Sequence, residues 1–358
     1  MSDESPPNPI SAAPIAQQLP LRFHGQTNEY FHIWIINLLL SIVTLGIYSA
    51  WAKVRSTRYF YGATELGGSR FDYHGKPVAI LIGRLIALVL FIPYILLGKT
   101  HSLVAGCFLL LLFVASPFLI TRALRFRLGM TSYRNLRFGF TGSIGDAAVN
   151  YLLLPMLLLP TLMLALPSVT HQQRKWVLDH ARYGQQQFDL KPAVGGWYRA
   201  YFCALGSFII FTICMFILIG VGIVSIGMSA KTGANPLLSF VPLASYIVML
   251  AAYTTILRTL GGWLHKLVFE RLTLGELHFS PNYRVTELFS LHLINSLALF
   301  FSLGLAYPWI RIRTTRYMVE RLSLYAPAGL NAFIATTQGK TSAAGEEIAD
   351  MFDVDIGL

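Results

Sequence analysis

The chain has 358 residues, of which 54% are hydrophobic and 13% charged, about half the charged share of a soluble domain. That composition excludes a wholly water-solvated globule and places the chain in a membrane. The formal charge of +11 implies no nucleic-acid partner, because basic loops are what orient a membrane protein.

In chain order, residues 1–20 are rich in Pro and Ser and lack a basic start followed by an apolar core. They read as a disordered tail and not as a cleavable signal. "LRFHG" at 21–25 reads as a strand edge. Apolar stretches long enough to cross a bilayer, about 20 residues each, lie near 30–51, 78–97, 102–121, 147–168, 199–228, 236–257 and 288–310. Between them, runs at 58–75, 125–142, 180–190 and 268–279 set aromatic or branched residues around Gly- or Asn-bearing turns, the pattern of hairpins. Hairpins this short are marginal alone. The expected fold is therefore an α-helical integral membrane protein with internally repeated membrane helices and short cytoplasmic β-hairpins forming a small sheet.

A shift of 258 residues carries Glu29, Asn37, Trp51, Arg55, Arg58 and Tyr59 onto Glu287, Asn295, Trp309, Arg313, Arg316 and Tyr317 without a gap. A shift of 117 carries Glu29 onto Asp146 and Phe71-Asp72 onto Phe188-Asp189. Such self-similarity defines the building block: an acid, an apolar stretch, a basic turn, short strands and two further apolar stretches. It divides the chain into a first repeat at 21–145, a second at 146–286, a partial third at 287–325 and an acidic tail at 326–358. Most of the 28 Lys and Arg fall in connectors at 52–77, 122–146, 169–199, 258–286 and 311–358. All of these can be cytoplasmic if the leading stretch of each block enters and returns on one side, while the other two cross as a pair. Thr44-Leu45-Gly46, Pro155 with Pro160, and Ser302-Leu303-Gly304 are the expected points of return.

The segments "LRFHG", "EYFHIWIINLLLSIVTLGIYSAWAKVRSTRYFY", "FDYHG", "GLAYPWIRIRTTRY" and "GEEIADMFDVDIGL" resemble the YjgN-like family of bacterial inner-membrane proteins, a family defined as a domain of unknown function. The resemblance covers roughly residues 20–358. It implies a multi-pass protein of the bacterial inner (cytoplasmic) membrane and supplies no catalytic or ligand residue.

Three groups of residues are candidate sites. The acids Glu29, Asp146 and Glu287 precede the leading apolar stretches, where a carboxylate satisfies free N–H groups and the positive helix end; the alternative is a proton- or cation-handling carboxylate. Asn37, Ser41, Thr44 and Tyr48, echoed by Asn295 and Ser302, form a polar stripe, read either as a solute pathway or as hydrogen-bond glue between helices. Lys53, Arg55, Arg58, Lys175, Arg311, Arg313 and Arg316, interleaved with aromatics, suit anionic lipid headgroups or an anionic solute, or serve topology alone. Arg84 reads as snorkelling toward the interface. Cys107, Cys203 and Cys214 fit neither a metal site nor a disulfide framework. No phosphate-binding loop, zinc-protease motif or nucleophile elbow is present, so no enzyme, metal or cofactor is expected. The expected function is a polytopic inner-membrane protein serving as a transporter or channel for a small polar or anionic solute. The alternative is a non-catalytic membrane scaffold or anionic-lipid interaction protein; the partners are the bilayer, anionic lipids and a small solute.

Overall fold

The computed structural model describes residues 17–98, 102–232 and 241–339; residues 1–16 of the expected tail and the acids expected beyond Lys340 lie outside these. One structural unit is used five times. Strand β1 (Gln17–Phe23) leads into helices α1 (Thr27–Val43) and α2 (Ser49–Gly62), and β2 (Thr64–Leu66) returns antiparallel to it with Leu21 opposite Leu66. In the second unit, β3 (Ser69–Tyr73), α3 (Pro77–Gly98), α4 (Ser102–Gly129) and β4 (Thr131–Tyr133) set Phe71 opposite Tyr133. The third runs β5 (Leu136–Phe140), α5 (Ile144–Ala148), a π-helical turn (Val149–Leu153), α6 (Leu154–Met156), α7 (Leu166–Asp179) and β6 (Ala181–Tyr183), with Phe138 opposite Tyr183. Pro155 has no N–H to continue the α-ladder, which accounts for the wider turn just before it. The fourth runs β7 (Gln186–Leu190), α8 (Val194–Thr232), α9 (Val241–Phe269) and β8 (Leu272–Leu274), with Phe188 opposite Leu274. The fifth runs β9 (Leu277–Pro281), α10 (Val285–Phe301), α11 (Tyr307–Glu320) and β10 (Leu322–Ala326), with Phe279 opposite Leu324. A last helix, α12 (Leu330–Gly339), follows.

The strands do not form the small sheet expected beside the membrane. They close into a ten-stranded antiparallel barrel, because β10 pairs with β1, Gln17 standing opposite Ala326. The physical reason is edge satisfaction: a lone hairpin leaves two unpaired edges, whereas here β2 to β9 each pair once through a tight turn and once across a helical excursion, and β1 and β10 pair across an excursion and with each other. Two of the turns place two residues in the left-handed region, Gly67 and Gly68 at φ 52° and 77° and Arg134 and Asn135 at 46° and 62°, and the other two place one, Gly184 at 57° and Gly275 at 59°, both patterns that suit right-twisted hairpins. Closure is locked by five equivalent backbone bonds at the strand ends, His24 to Ala63, His74 to Met130, Thr141 to His180, Lys191 to Arg271 and Asn282 to Arg321, each amide donating to the carbonyl over 2.7–3.2 Å.

Alternation along the strands fills the barrel. Leu66, Tyr133, Tyr183, Leu274 and Leu324 meet Leu21, Phe71, Phe138, Phe188 and Phe279 in one core. At the end away from the membrane helices, Leu330 and Ile334 of α12 complete that core. Within it the Tyr133 hydroxyl donates to Leu66 O at 2.6 Å and the Tyr183 hydroxyl to Tyr133 O at 2.9 Å. Burial is the main cause that pushes both phenols above their ordinary value. The unfolded chain ionises near its ordinary tyrosine pKa, about 10, while the folded barrel holds both rings neutral. Stability is therefore complete below that pH and lost as pH rises toward the raised values. An alkaline titration followed by circular dichroism should show cooperative loss of structure in that window, and a flat signal throughout would contradict a dry, plugged barrel.

The helices form a second ring above the barrel. The second helix of each unit packs against the first of the next: α2 on α3, α4 on α5, α7 on α8, α9 on α10, and α11 back on α1. Among the described residues three helical segments are long and apolar enough to cross a membrane, Leu103–Gly129, Val194–Val224 and Ala244–Phe269. The odd-numbered units instead turn back early. In the first unit the Thr44 hydroxyl donates to Leu40 O and accepts from Tyr48 N, with Leu45 and Gly46 at positive φ. Ser302 does the same with Leu299 and Ala306, and Thr161 with Leu157 and Ala165. In the third unit the reversal thus falls at Thr161-Leu162-Met163, beyond Pro155 and Pro160. Since both ends of each excursion attach to the same barrel, every hairpin turn lies on one side of the helical ring.

Candidate functional site

The foot of the helical ring is where the basic residues gather. At equivalent positions, five residues before each closing amide partner, stand Arg58, Arg125, Lys175, Lys266 and Arg316. Four of them donate across to the next unit: Arg58 to Tyr73 O at 3.3 Å, Arg125 to Gly142 O at 2.9 Å, Lys175 to Leu190 O at 2.8 Å and Arg316 to Gly25 O at 2.7 Å. Lys266 lies 3.7 Å from Glu270. This belt ties neighbouring units together at the rim of the barrel.

Two repeat-related grooves open beside the belt. The first, about 910 Å³, is lined by Trp51, Arg55, Arg58, Tyr59 and Glu29 and is bounded by Pro77 of the next unit. The second, about 560 Å³, is lined by Trp309, Arg313, Arg316, Tyr317 and Glu287 and is bounded by Thr27 of the next unit. In each, the tyrosine hydroxyl donates to the helix-start carboxylate, Tyr59 to Glu29 at 3.0 Å and Tyr317 to Glu287 at 2.8 Å. Arg321 also binds Glu287, and the Arg313 guanidinium stacks 4.9 Å from the Trp309 ring centre. The third unit lacks this arrangement. Trp176 replaces the tyrosine, and its buried Nε1 finds no partner among the described residues. Asp146 instead accepts from the hydroxyl of Ser143, which caps α5.

The polar stripe is divided by the fold. Asn37, 5% exposed, donates from Nδ2 to Ser56 at 3.4 Å and to Ala52 O at 3.5 Å, both on α2. Asn295, 1% exposed, repeats this by donating to Thr314 at 3.0 Å, while its Oδ1 accepts from Arg313 at 3.3 Å. Ser41 donates to Asn37 O within its own helix. Thr44 and Ser302 make the reversals, and Tyr48 lines the first groove.

On the opposite face of α2 from the first groove lies a cavity of about 1050 Å³, walled by α1, α2, α3, α4, α10 and α11, with Tyr73 of the barrel rim among its lining residues. Asn37, Ser41, Lys53 and Arg311 reach it. So does Arg127, while Arg84 donates from outside the lining to the Ser49 hydroxyl. Sequence reasoning had not assigned either arginine to a site, since each comes from the second unit, whose helices do not echo the first. Among the described residues no His, Cys, Asp and Glu cluster could hold a metal.

A ring of helical hairpins standing on a closed, plugged barrel, with spans apolar enough for a bilayer, defines a polytopic membrane protein with its polar domain on one side. The family described as "Bacterial protein of unknown function (DUF898)" matches residues 18–351, and the chain belongs to that family. It is similar to the Inner membrane protein YjgN of Escherichia coli strain K12, 35% identical over 123 residues, 34% of this chain and 31% of that protein. It is similar also to the Inner membrane protein YjgN of Salmonella typhimurium strain LT2, 33% identical over 147 residues, 41% of this chain and 37% of that protein. The chain thus spans about a third of the length of the curated relatives it matches. No solved structure matches it.

Proposed function

We propose that the protein resides in the inner membrane with its barrel and basic turns on the cytoplasmic side, and serves as a non-catalytic scaffold that holds anionic phospholipid headgroups. The observation that carries this reading is the pair of repeat-related grooves. Trp51 with Arg55 and Arg58, and Trp309 with Arg313 and Arg316, sit in the same register at the helix–barrel junction. Tryptophan favours the headgroup level of a bilayer. Arginine offers a planar fork matched to phosphate oxygens, and the cytoplasmic leaflet supplies anionic lipid, with each nearby base worth about 1 kcal/mol of attraction.

The test is the lipid that travels with the protein through detergent purification. R55Q/R313Q, which spares the belt arginines and the Tyr–Glu pairs, should lower the ratio of retained anionic to zwitterionic phospholipid by about fivefold, each groove losing one charge at about 1 kcal/mol. The barrel should stay closed, because neither Arg55 nor Arg313 takes part in its closing bonds, although R313Q removes the guanidinium bonded to buried Asn295 and so lowers thermal stability modestly. An unchanged lipid ratio in folded R55Q/R313Q protein would remove the basis of this reading.

A further inference from the structure

The cavity on the other face of α2 is chemically unlike the grooves. Lys53, Arg127 and Arg311 line it, and no Asp or Glu does. Arg84 stands outside the lining and donates to the hydroxyl of Ser49, which belongs to it. None of the four is ion-paired among the described residues. Arg311 instead stacks 5.0 Å from the centre of the Phe60 ring. Lys53 and Arg311 are related by the 258-residue repeat, so the chain places a cation at this position in both of the units whose register is clearest.

Lys53, Arg127 and Arg311 put three like charges around one space, where they repel each other with no carboxylate to offset them. Basic residues needed only for topology gain nothing by converging in this way; they would be cheaper dispersed among headgroups. A cleft lined by one sign of charge concentrates the opposite ion. A volume near 1050 Å³ also far exceeds what a monatomic anion fills and suits a ligand of small-molecule size. We infer that this cavity is a binding site for a phosphate-bearing anion, distinct from the interfacial grooves, with Lys53, Arg127 and Arg311 contacting the phosphate oxygens and Arg84 holding Ser49 in place.

The phosphate could be that of a soluble compound or of a lipid headgroup, and the experiment separates the two. Full-length protein in a non-ionic detergent is titrated with inorganic pyrophosphate while its melting temperature and the heat of binding are followed, and its residual phospholipid is measured in parallel. Wild type should bind pyrophosphate. K53Q/R311Q should bind it at least about tenfold more weakly, since each lost charge-assisted bond is worth about 1.5–3 kcal/mol, whereas R55Q/R313Q should bind as wild type does. If pyrophosphate is ignored but a phospholipid is retained by wild type and R55Q/R313Q and released by K53Q/R311Q, the same site is filled by a lipid phosphate. Cations without carboxylate partners stabilise little in the empty protein, so K53Q/R311Q should fold and melt no lower than wild type. Three outcomes would each overturn the assignment: a K53Q/R311Q protein that cannot fold, no response to pyrophosphate together with unchanged lipid in all three proteins, or dependence on Arg55 and Arg313 alone.

Discussion

Single cysteines at Arg70, Gln185 and Glu276, introduced after replacing Cys107, Cys203 and Cys214 by Ser, are expected to behave as one with a membrane-impermeant thiol reagent. All three positions are exposed at barrel turns belonging to different units. In intact cells all should be protected, and in inverted vesicles all should react. The effect is all-or-none because a charged reagent does not cross a hydrocarbon core about 30 Å thick. The reasoning is topological: each excursion begins and ends in strands that pair with each other, so no unit can deliver its hairpin to the opposite face. A chain in which Gln185 reacts from outside while Arg70 stays protected cannot form the closed barrel. Uniform reaction from outside would keep the barrel and reverse the proposed orientation.

Leu324→Asp is expected to abolish recovery of folded protein, whereas Tyr325→Asp, one residue along, should be nearly silent. Leu324 is 2% exposed in the barrel core, and Tyr325 is 42% exposed on its outer face. Truncating a buried leucine to alanine already costs about 2–5 kcal/mol. A carboxylate in the same place also loses its hydration with no partner to compensate, against a total stability of about 5–15 kcal/mol. Monodisperse protein recovered after detergent extraction is the readout. Equal yields from the two variants would mean that strand β10 does not present alternate faces to a dry interior and to water.

The repeat was legible because Leu21, Phe138 and Phe279, 117 and 258 residues apart, occupy equivalent barrel positions. What the sequence concealed is that the units between them are built alike. In the second and fourth units only the short strands correspond, while α3, α4, α8 and α9 are lengthened by apolar residues that lipid selects for hydropathy and not for identity. Strand β10 was missed for a simpler reason. "LSLYA" is brief and has no hairpin partner beside it in the chain, and only the 258-residue shift, carrying Thr64-Glu65-Leu66 onto Leu322-Ser323-Leu324, would have exposed it. Without that strand no reading could close the sheet. The candidate site was half visible. Lys53 and Arg55 belong to one basic cluster in the sequence, but two residues along an α-helix is a rotation of about 200°. The helix therefore sends one to the cavity and the other to the groove. Arg127 completes the cavity from another unit, and that convergence exists only after the ring has closed.

The pairing of β1 with β10 also bears on how the molecule is made. Strand β1 precedes its neighbour β10 by all five helical excursions, so one ladder of the barrel waits for every helix between them to be translated and threaded into the bilayer. Contacts so remote in sequence form slowly, and until then an unpaired β-edge is held at the membrane surface, open to the same edge on another nascent copy. Two unfinished rings that meet in that interval can exchange terminal strands and mature as an interlocked pair, so the rate of translation, and not only the final energy, decides whether single rings are produced.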